Sequence, residues 1–203
     1  MDLREMEKRL QRVEDILEID KLEKVYGYYL DYGQNERILD MFSDNAESIE
    51  ISDRGVFKGK EGIRKFFLKY ISSHGQETAD LKELPHGRMV IHQQHQSVIN
   101  VAEDGKTAKG RWYLIMIQAW PVDGEPRSVL GHGVYENEFV KENGKWKFSK
   151  MFMSLDFRSP IEGGWVDIPV VSAGRSPLSD APPTAYHPYP DLKIVPFHWE
   201  EQG

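Results

Sequence analysis

The stretch GHGVYENEFVKENGKWKFSKMFMSLDFR, residues 131–158, decides the fold class of this chain. Apolar and polar residues alternate in both of its halves, and the pair Asn143-Gly144 separates the halves. An Asn-Gly pair favours the tight turn of a β-hairpin because both residues tolerate the positive φ that such a turn needs. The stretch therefore predicts most of two long antiparallel strands, residues 129–142 and 145–156.

Two more strand-like runs precede this hairpin, residues 88–102 and 107–121. The turn sequences Glu-Asp-Gly at 103–105 and Asp-Gly at 123–124 separate the runs from one another and from the hairpin. Consecutive strands joined by turns form an antiparallel meander, whereas parallel strands would need helices between them. The later part of the domain is therefore predicted to be an antiparallel sheet.

Helical patterns dominate the first third of the chain. Between residue 2 and about residue 32, apolar residues recur at three- and four-residue steps, which predicts one long amphipathic helix or two in tandem. A short helix from about Glu36, two short strands within 46–57 and a helix that follows Gly59 come next, and 72–83 is predicted to be a loop. Helices first and a meander afterwards predict a segregated α+β fold.

Composition limits the classes of protein to which the chain could belong. With 203 residues, 39% of them hydrophobic, the chain can bury one substantial core. Its net charge of -7 and the lack of a Lys/Arg cluster argue against a nucleic-acid partner. The absence of cysteine excludes disulfides and thiolate metal sites. The charged amino terminus and the lack of a long apolar run predict a cytoplasmic protein without a membrane span.

The composition changes after residue 158, where Pro, Gly and aromatic residues take over. Regular structure is not expected there because proline lacks a backbone donor. Four aromatic side chains are nevertheless too apolar to be left in water: Tyr186, Tyr189, Phe197 and Trp199. We therefore predict one domain over 1–158, followed by an extension over 159–203 that wraps the domain, covers its pocket or docks on a partner subunit.

Three stretches of the sequence resemble scytalone dehydratase and its SnoaL-like relatives. The hairpin at 131–158 shares a Gly-His opening and a Gly-x-Trp-Lys-Phe run after its turn. The stretches HQQHQSVINVAEDGKTAKGRW (92–112) and DYGQNERILDMFSDNA (31–46) are similar to the preceding hairpin and to the exit from the first helix. The chain is identified as a SnoaL-like member of the NTF2-like superfamily. The resemblance implies helices packed on a curved antiparallel sheet, which form a cone around one apolar pocket.

The resemblance also implies a set of site residues. In the dehydratases of this fold, a Tyr/Asp pair at the end of the first helix orients a water, and a strand histidine acts as acid and base. An ungapped overlay places that histidine at His92 and a ligand-contacting asparagine at Asn137, while the pair appears in reversed order as Asp31 and Tyr32. Ile117 stands where the family has a second catalytic histidine, which argues against scytalone dehydration itself.

Each of these residues also has a structural interpretation. His92 can exchange a proton near neutral pH, but it could equally be a surface histidine of a strand. Asp31 and Tyr32 could simply cap the end of a helix. The amide of Asn137 must find a partner, either in the fold or on a ligand. His95 has the opposite strand parity to His92, so no metal site is expected.

Other candidates come from strand parity and from apolar character. The overlay turns Arg111 and Tyr113 toward the cavity, where Arg111 could stabilise an oxyanion; the alternative is an exposed charge paired with an acidic neighbour. Glu50 alternates with two serines, which is typical of a solvated face, although a buried general base is conceivable. The residues expected to hold a substrate are Tyr28, Phe57, Tyr113 and Tyr135.

Proton transfer is the chemistry that the motifs leave open, because phosphate-binding loops, serine nucleophile elbows and zinc-protease motifs are absent from the sequence. We expect a cofactor-independent lyase, of the dehydratase or deformylating type, that acts on a hydroxylated aromatic or polycyclic molecule. The same fold includes diarylpropane lyases that release formaldehyde from lignin-type dimers. An isomerase or cyclase and a noncatalytic binding module are the alternatives. The resemblance implies a homodimer or homotrimer.

Overall fold

The computed structural model of the protein describes residues 2–71, 84, 86–122, 125–172 and 174–199, without the side chains of 120–122. Its helices are α1 (Leu3–Asp31), α2 (Asn35–Asp40), α3 (Gly59–Lys65) and α4 (Gly164–Asp167). A π-helical segment, Phe66–Ile71, continues α3. None of the described helices combines the length and the apolar character needed to cross a bilayer.

The strands are β1 (Ser48–Ile51), β2 (Gly55–Lys58), β3 (Val90–Val101), β4 (Thr107–Val122), β5 (Glu125–Glu142) and β6 (Lys145–Pro160). They form one six-stranded sheet in the order β2-β1-β6-β5-β4-β3. The long strands β3 to β6 pair antiparallel, whereas β1 runs parallel to β6. Amino-terminal helices on a curved sheet are the α+β arrangement expected from the sequence, which is confirmed. The predicted loop at 72–83 and the turn at 123–124 lie outside the described residues.

Tyr26 anchors α1 to the sheet through edge-to-face aromatic contacts. Its ring lies 6.3 Å from that of Phe67, 6.1 Å from that of Tyr135 and 5.7 Å from that of Phe148, measured between centroids. Such pairs each contribute about 0.5–1.5 kcal/mol beyond the burial of the rings. The contacts fix the height of the last turn of α1 above the sheet, and that turn carries Asp31.

The first half of α1 extends beyond this core. Residues 2–14 are all exposed, and Asp15 is the first buried residue of the helix. Its carboxylate accepts hydrogen bonds from Trp146 Nε1 at 3.0 Å and from Lys141 Nζ at 2.6 Å. The apolar side chains that precede Asp15 are exposed and do not join the core that the described residues form.

The prediction that one face of β1 is exposed to solvent is wrong. Ser48, Glu50 and Ser52 are 5%, 6% and 0% exposed. The carboxylate of Glu50 accepts hydrogen bonds from the backbone N–H of Thr184 at 2.6 Å and from its hydroxyl at 2.9 Å. Residues from the Pro-rich extension thus cover a strand face that the local pattern assigned to water.

The extension packs against the domain of its own chain at several points. Val56 forms a β-bridge with Ala181. Closer to the sheet, the buried carboxylate of Asp53 forms ion pairs with Arg54 and Arg158 and accepts a hydrogen bond from Ser172 at 2.9 Å. The charges of two buried guanidinium groups are therefore balanced in part by one carboxylate at the point where the extension leaves β6.

Candidate active site

His92 and Asp31 form a hydrogen-bonded pair between β3 and the end of α1. The distance from His92 Nδ1 to Asp31 Oδ1 is 2.7 Å, and the two side chains are 10% and 12% exposed. Asp31 also accepts the backbone N–H of His92, at 2.9 Å to Oδ1 and 3.2 Å to Oδ2. The imidazole and the backbone of β3 are thus both tied to one carboxylate of the helix.

The local structure explains why this pair forms. β3 is the last strand in the sheet order, so on its outer edge the backbone N–H of His92 can donate to a side chain instead of to a strand. Asp31 is the final residue of α1, where the helix dipole disfavours a negative charge. The hydrogen bonds from β3 offset that unfavourable position, and they hold the carboxylate beside the ring.

A carboxylate on Nδ1 determines which protons the imidazole carries. Asp31 accepts a hydrogen bond from a protonated Nδ1, which leaves the lone pair of the neutral ring on Nε2. That nitrogen can then accept a proton, and the carboxylate stabilises the imidazolium that results. The pair is therefore equipped for general base and general acid chemistry without a metal or a cofactor.

Two buried phenols of the core feel the charge of Asp31. Tyr26 and Tyr135 are 1% and 2% exposed and are hydrogen-bonded to each other. Burial raises the pKa of both hydroxyl groups, and the negative charges of Glu23 and Asp31 raise them further. Both phenols therefore remain neutral hydrogen-bond donors at every pH at which the protein would be assayed.

Asn137 is held by the protein on both sides of its amide. Its Nδ2 donates to Glu23 Oε2 at 2.9 Å, and its Oδ1 accepts the backbone N–H of Phe152 at 3.1 Å. Glu23 is 0% exposed, and burial raises the pKa of its carboxyl to about 8. Sequence reasoning missed Glu23, although it lies four residues after the apolar Ile19, on the face of α1 that becomes buried.

Met116 and Gly131 continue the row of the sheet that begins with His92. Met116 pairs with His92 on one side and with Gly131 on the other. Paired residues of antiparallel strands share a face, so the thioether lies on the concave side next to the imidazole. A Cβ added at Gly131 would come within 2.6 Å of Met116 Cε. Glycine is therefore needed there if Met116 is to keep its place beside His92.

Arg111 and Tyr113 face away from this site, so the overlay that turned them toward the cavity is wrong. Trp112, between them, is a buried core residue at 0% exposure, which puts its neighbours on the other face. Arg111 donates to the backbone oxygen of Val195 at 2.8 Å. Its guanidinium lies over the rings of Phe197 and Trp199 and 3.4 Å from a carboxylate oxygen of Glu136. The alternative interpretation, an ion pair with an acidic neighbour, is thus correct for Arg111. The pair is not exposed to solvent, however, because residues of the extension cover it.

The other predicted residues divide between the core and the surface. Phe57 is fully buried and packs on Phe66, with centroids 5.0 Å apart. Tyr28 and Tyr32 are 66% and 52% exposed, so neither contributes to a buried site in this arrangement. His95 is exposed. Across the described ranges, no three His, Asp or Glu side chains come together as metal ligands would.

The fold and the sequence together identify the family of the protein. Amino-terminal helices on a curved six-stranded sheet give it an α+β fold, the cone of NTF2-like proteins. Within that class the chain belongs to the SnoaL-like domain family, whose model matches residues 11–151. The resemblance drawn from the sequence is thus confirmed. The family supports a cofactor-free enzyme that converts a small molecule.

Solved structures with the same fold are distant in sequence. A putative scytalone dehydratase from Novosphingobium aromaticivorans DSM 12444 is 18% identical, with a TM-score of 0.60 over 81% of this chain and 95% of that chain. The hexachlorocyclohexane dehydrochlorinase LinA-type3 from Novosphingobium barchaimii LL02 is 22% identical, with a TM-score of 0.61 over 76% and 95%. At these identities the likeness shows the fold alone. A search of curated protein sequences finds no match to this chain.

Proposed function

We propose that this chain is a cofactor-independent lyase that eliminates a small group from a hydroxylated aromatic or polycyclic molecule. The observation that carries the proposal is the 2.7 Å contact between His92 Nδ1 and Asp31 Oδ1, in a setting that leaves each side chain about one-tenth exposed. A base in such a setting needs little reorganisation to accept a proton. Two fold neighbours, a dehydratase and a dehydrochlorinase, bear names that denote eliminations.

The reaction needs one proton acceptor and one route for the leaving group. His92 Nε2 takes a proton from the carbon next to the one that bears the hydroxyl, and the C–H electron pair becomes the new double bond. The C–O bond breaks with its electrons on oxygen, and the imidazolium returns its proton so that water departs. Asp31 stabilises the imidazolium while it exists.

The neutral phenols supply one further donor. Tyr26 and Tyr135 retain their protons because burial raises the pKa of both, and one phenol donates to the other, so the pair has one O–H left to hydrogen-bond an oxygen that gains charge. Asn137 does not contact the substrate in this proposal, because its amide already hydrogen-bonds Glu23 and the backbone of β6. In this proposal Asn137 fixes the buried carboxyl, and Arg111, Tyr32 and Tyr113 contribute nothing to the chemistry.

A panel of hydroxylated aromatic dimers and polycyclic ketones tests the reaction class. The wild-type protein is incubated with each compound and the products are analysed by mass spectrometry, where loss of water or of formaldehyde identifies a lyase. We expect His92→Ala and Asp31→Asn to lower the rate by about 10²–10⁴-fold, the usual contribution of a general base. His95→Ala is the matched control, because His95 is an exposed histidine of the same strand.

Three outcomes would contradict the proposal. A product of unchanged mass with a new retention time would make the protein an isomerase or a cyclase. Binding without conversion that survives His92→Ala would make it a noncatalytic module. Equal losses of activity in the His92 and His95 variants would mean that the reaction does not depend on the hydrogen-bonded pair of His92 and Asp31.

A further inference from the structure

Gln118 is a buried amide in a part of the sheet that is otherwise apolar. Its side chain belongs to β4 and is 5% exposed. The residues that pair with it, Val90 on β3 and Val129 on β5, are buried and apolar. Among the residues that the structure describes, none provides a hydrogen-bond partner for the buried Oε1 of Gln118. Buried polar groups are paired in the great majority of cases, so this oxygen requires an explanation.

Gln118 shares the concave face of the sheet with His92. Met116 pairs with His92 and lies on that face, and Gln118 follows Met116 at the two-residue period of a strand. His92 and Gln118 are therefore diagonal neighbours on adjacent strands, about 7–8 Å apart. A ligand with two fused or linked rings spans such a distance, so one molecule can contact the imidazole and the amide together.

Helix α1 ends before it reaches the row of Gln118. Along β3, the helix advances by one turn for every two strand residues. A Cβ at Gly27 would lie 2.6 Å from the amide oxygen of Gln94, and Asp31, one turn later, hydrogen-bonds His92. A further turn would lie above the row of Gln118, but Asp31 is the last residue of α1. The helix therefore does not fill the concave space next to Gln118.

We propose that Gln118 Oε1 accepts a hydrogen bond from a hydroxyl group of the substrate, so that Gln118 selects hydroxylated aromatic molecules. The inference rests on the proposed function, since it takes His92 as the base that acts on the same molecule. An amide oxygen is an acceptor, and it can pair with an O–H but not with an ether or a ketone oxygen. The hydroxyl at Gln118 is not the leaving group, because it lies across the ring system from the carbon that gives its proton to His92.

A hydroxylated ligand would give Gln118 the partner that the described part of the fold does not provide. A buried acceptor without a partner destabilises the folded state, whereas an apolar side chain of the same shape would not. A ligand hydroxyl removes that penalty on binding, and an analogue without the hydroxyl leaves the acceptor unpaired. Sites of this kind reject the analogue that lacks the donor more strongly than an apolar pocket rejects a change in size.

Binding of matched aromatic probes tests the proposal without requiring turnover. The probes are 2-naphthol and 4-phenylphenol, each compared with its methyl ether by titration calorimetry. We expect the wild-type protein to bind each phenol at least about tenfold more tightly than its ether. Gln118→Met should lose this preference, because its side chain is unbranched and similar in length but accepts only weakly. Gln93→Met is the matched control, since Gln93 is an exposed glutamine on the opposite face of β3.

Two further measurements separate binding from folding and from the reaction. In urea denaturation without ligand, Gln118→Met should be at least as stable as the wild-type protein, since it removes an unpaired buried acceptor. With any hydroxylated compound that the protein converts, Gln118→Met should raise KM by about tenfold and change kcat little, because the hydrogen bond is present in both the ground state and the transition state.

Three results would overturn the proposal. In the first, the wild-type protein binds neither phenol up to its solubility limit, or binds each phenol and its ether equally. In the second, Gln118→Met keeps the same preference for the phenols as Gln93→Met. The third is a marked loss of stability in Gln118→Met, which would make the amide a structural group with a partner inside the fold. Failure of the proposed function looks different: no compound is converted, while the preference for phenols that depends on Gln118 is intact.

Discussion

Replacement of Glu23 by glutamine removes a carboxyl group that titrates inside the core. Burial raises its pKa from the ordinary 4.5 to about 8, so the folded protein keeps the proton at neutral pH while the unfolded chain releases it. Unfolding is therefore coupled to proton release between these two pH values, and the wild-type protein loses stability as pH rises from 4.5 to about 8. The glutamine side chain has the same shape and can still accept from Asn137, but it does not titrate.

The interval between the two pKa values sets the size of the effect. One pH unit corresponds to about 1.36 kcal/mol, so proton release by Glu23 in the unfolded chain lowers the free energy of unfolding by roughly 3 kcal/mol by pH 7 and by about 5 kcal/mol above pH 8. The second figure is an upper limit, because relaxation and water entry reduce the cost of a buried charge. Relative to wild type, Glu23→Gln should thus gain stability with rising pH, and the two proteins should converge near pH 4.5.

Urea denaturation of both proteins at a series of pH values between 4 and 9 measures this difference. Glu18→Gln serves as the control, because Glu18 is an exposed glutamate of the same helix and its removal should leave the pH dependence unchanged. Parallel stability curves for wild type and Glu23→Gln would refute the reasoning, because they would mean that Glu23 has the same pKa in the folded and unfolded states.

Two further predictions concern packing and buried charge. Asp53→Ala should lower the free energy of unfolding by about 3–5 kcal/mol, because it leaves the buried guanidinium groups of Arg54 and Arg158 without their carboxylate; a loss below about 1 kcal/mol in urea denaturation would mean that water enters and solvates them. Gly131→Ala should impair turnover and cost less than about 1 kcal/mol of stability, since its Cβ would meet Met116 Cε at 2.6 Å and the flexible thioether can turn away only by leaving its place beside His92. Unchanged stability and kinetics in that variant would mean that Met116 moves freely and does not shape the site.

Much of the sheet is predictable from the sequence because strand signals are local. Alternation of period two and the Asn143-Gly144 turn are properties of short segments, and the strand bounds derived from them agree with β4 and β6 at their first residues. His92 follows from the resemblance. Its contact with Asp31 joins residues 61 positions apart, and both had been singled out. What the sequence could not supply is the distance between them.

The face of each strand residue is harder to predict because alternation only separates two faces. It places Arg111 and Trp112 on opposite sides of β4 without saying which side is concave. The apolar run of Trp112, Leu114 and Met116 was the available signal, and it favoured the arrangement that the structure has. The overlay with distant relatives suggested the reverse, and it was wrong.

The sequence by itself determined the order of helices and strands, the turns that join them and the family to which the chain belongs. The spacing of apolar residues, the turn sequences and the family motifs are all properties of consecutive residues. Tertiary structure decided which polar groups are buried. Glu50 leaves water because Thr184, distant in the chain, covers it, and Glu23 leaves water because α1 turns that face to the sheet. A helical pattern is the same whether its apolar side meets a core or another molecule. Only the packed structure separates the half of α1 that the domain buries from the half that it leaves in solvent.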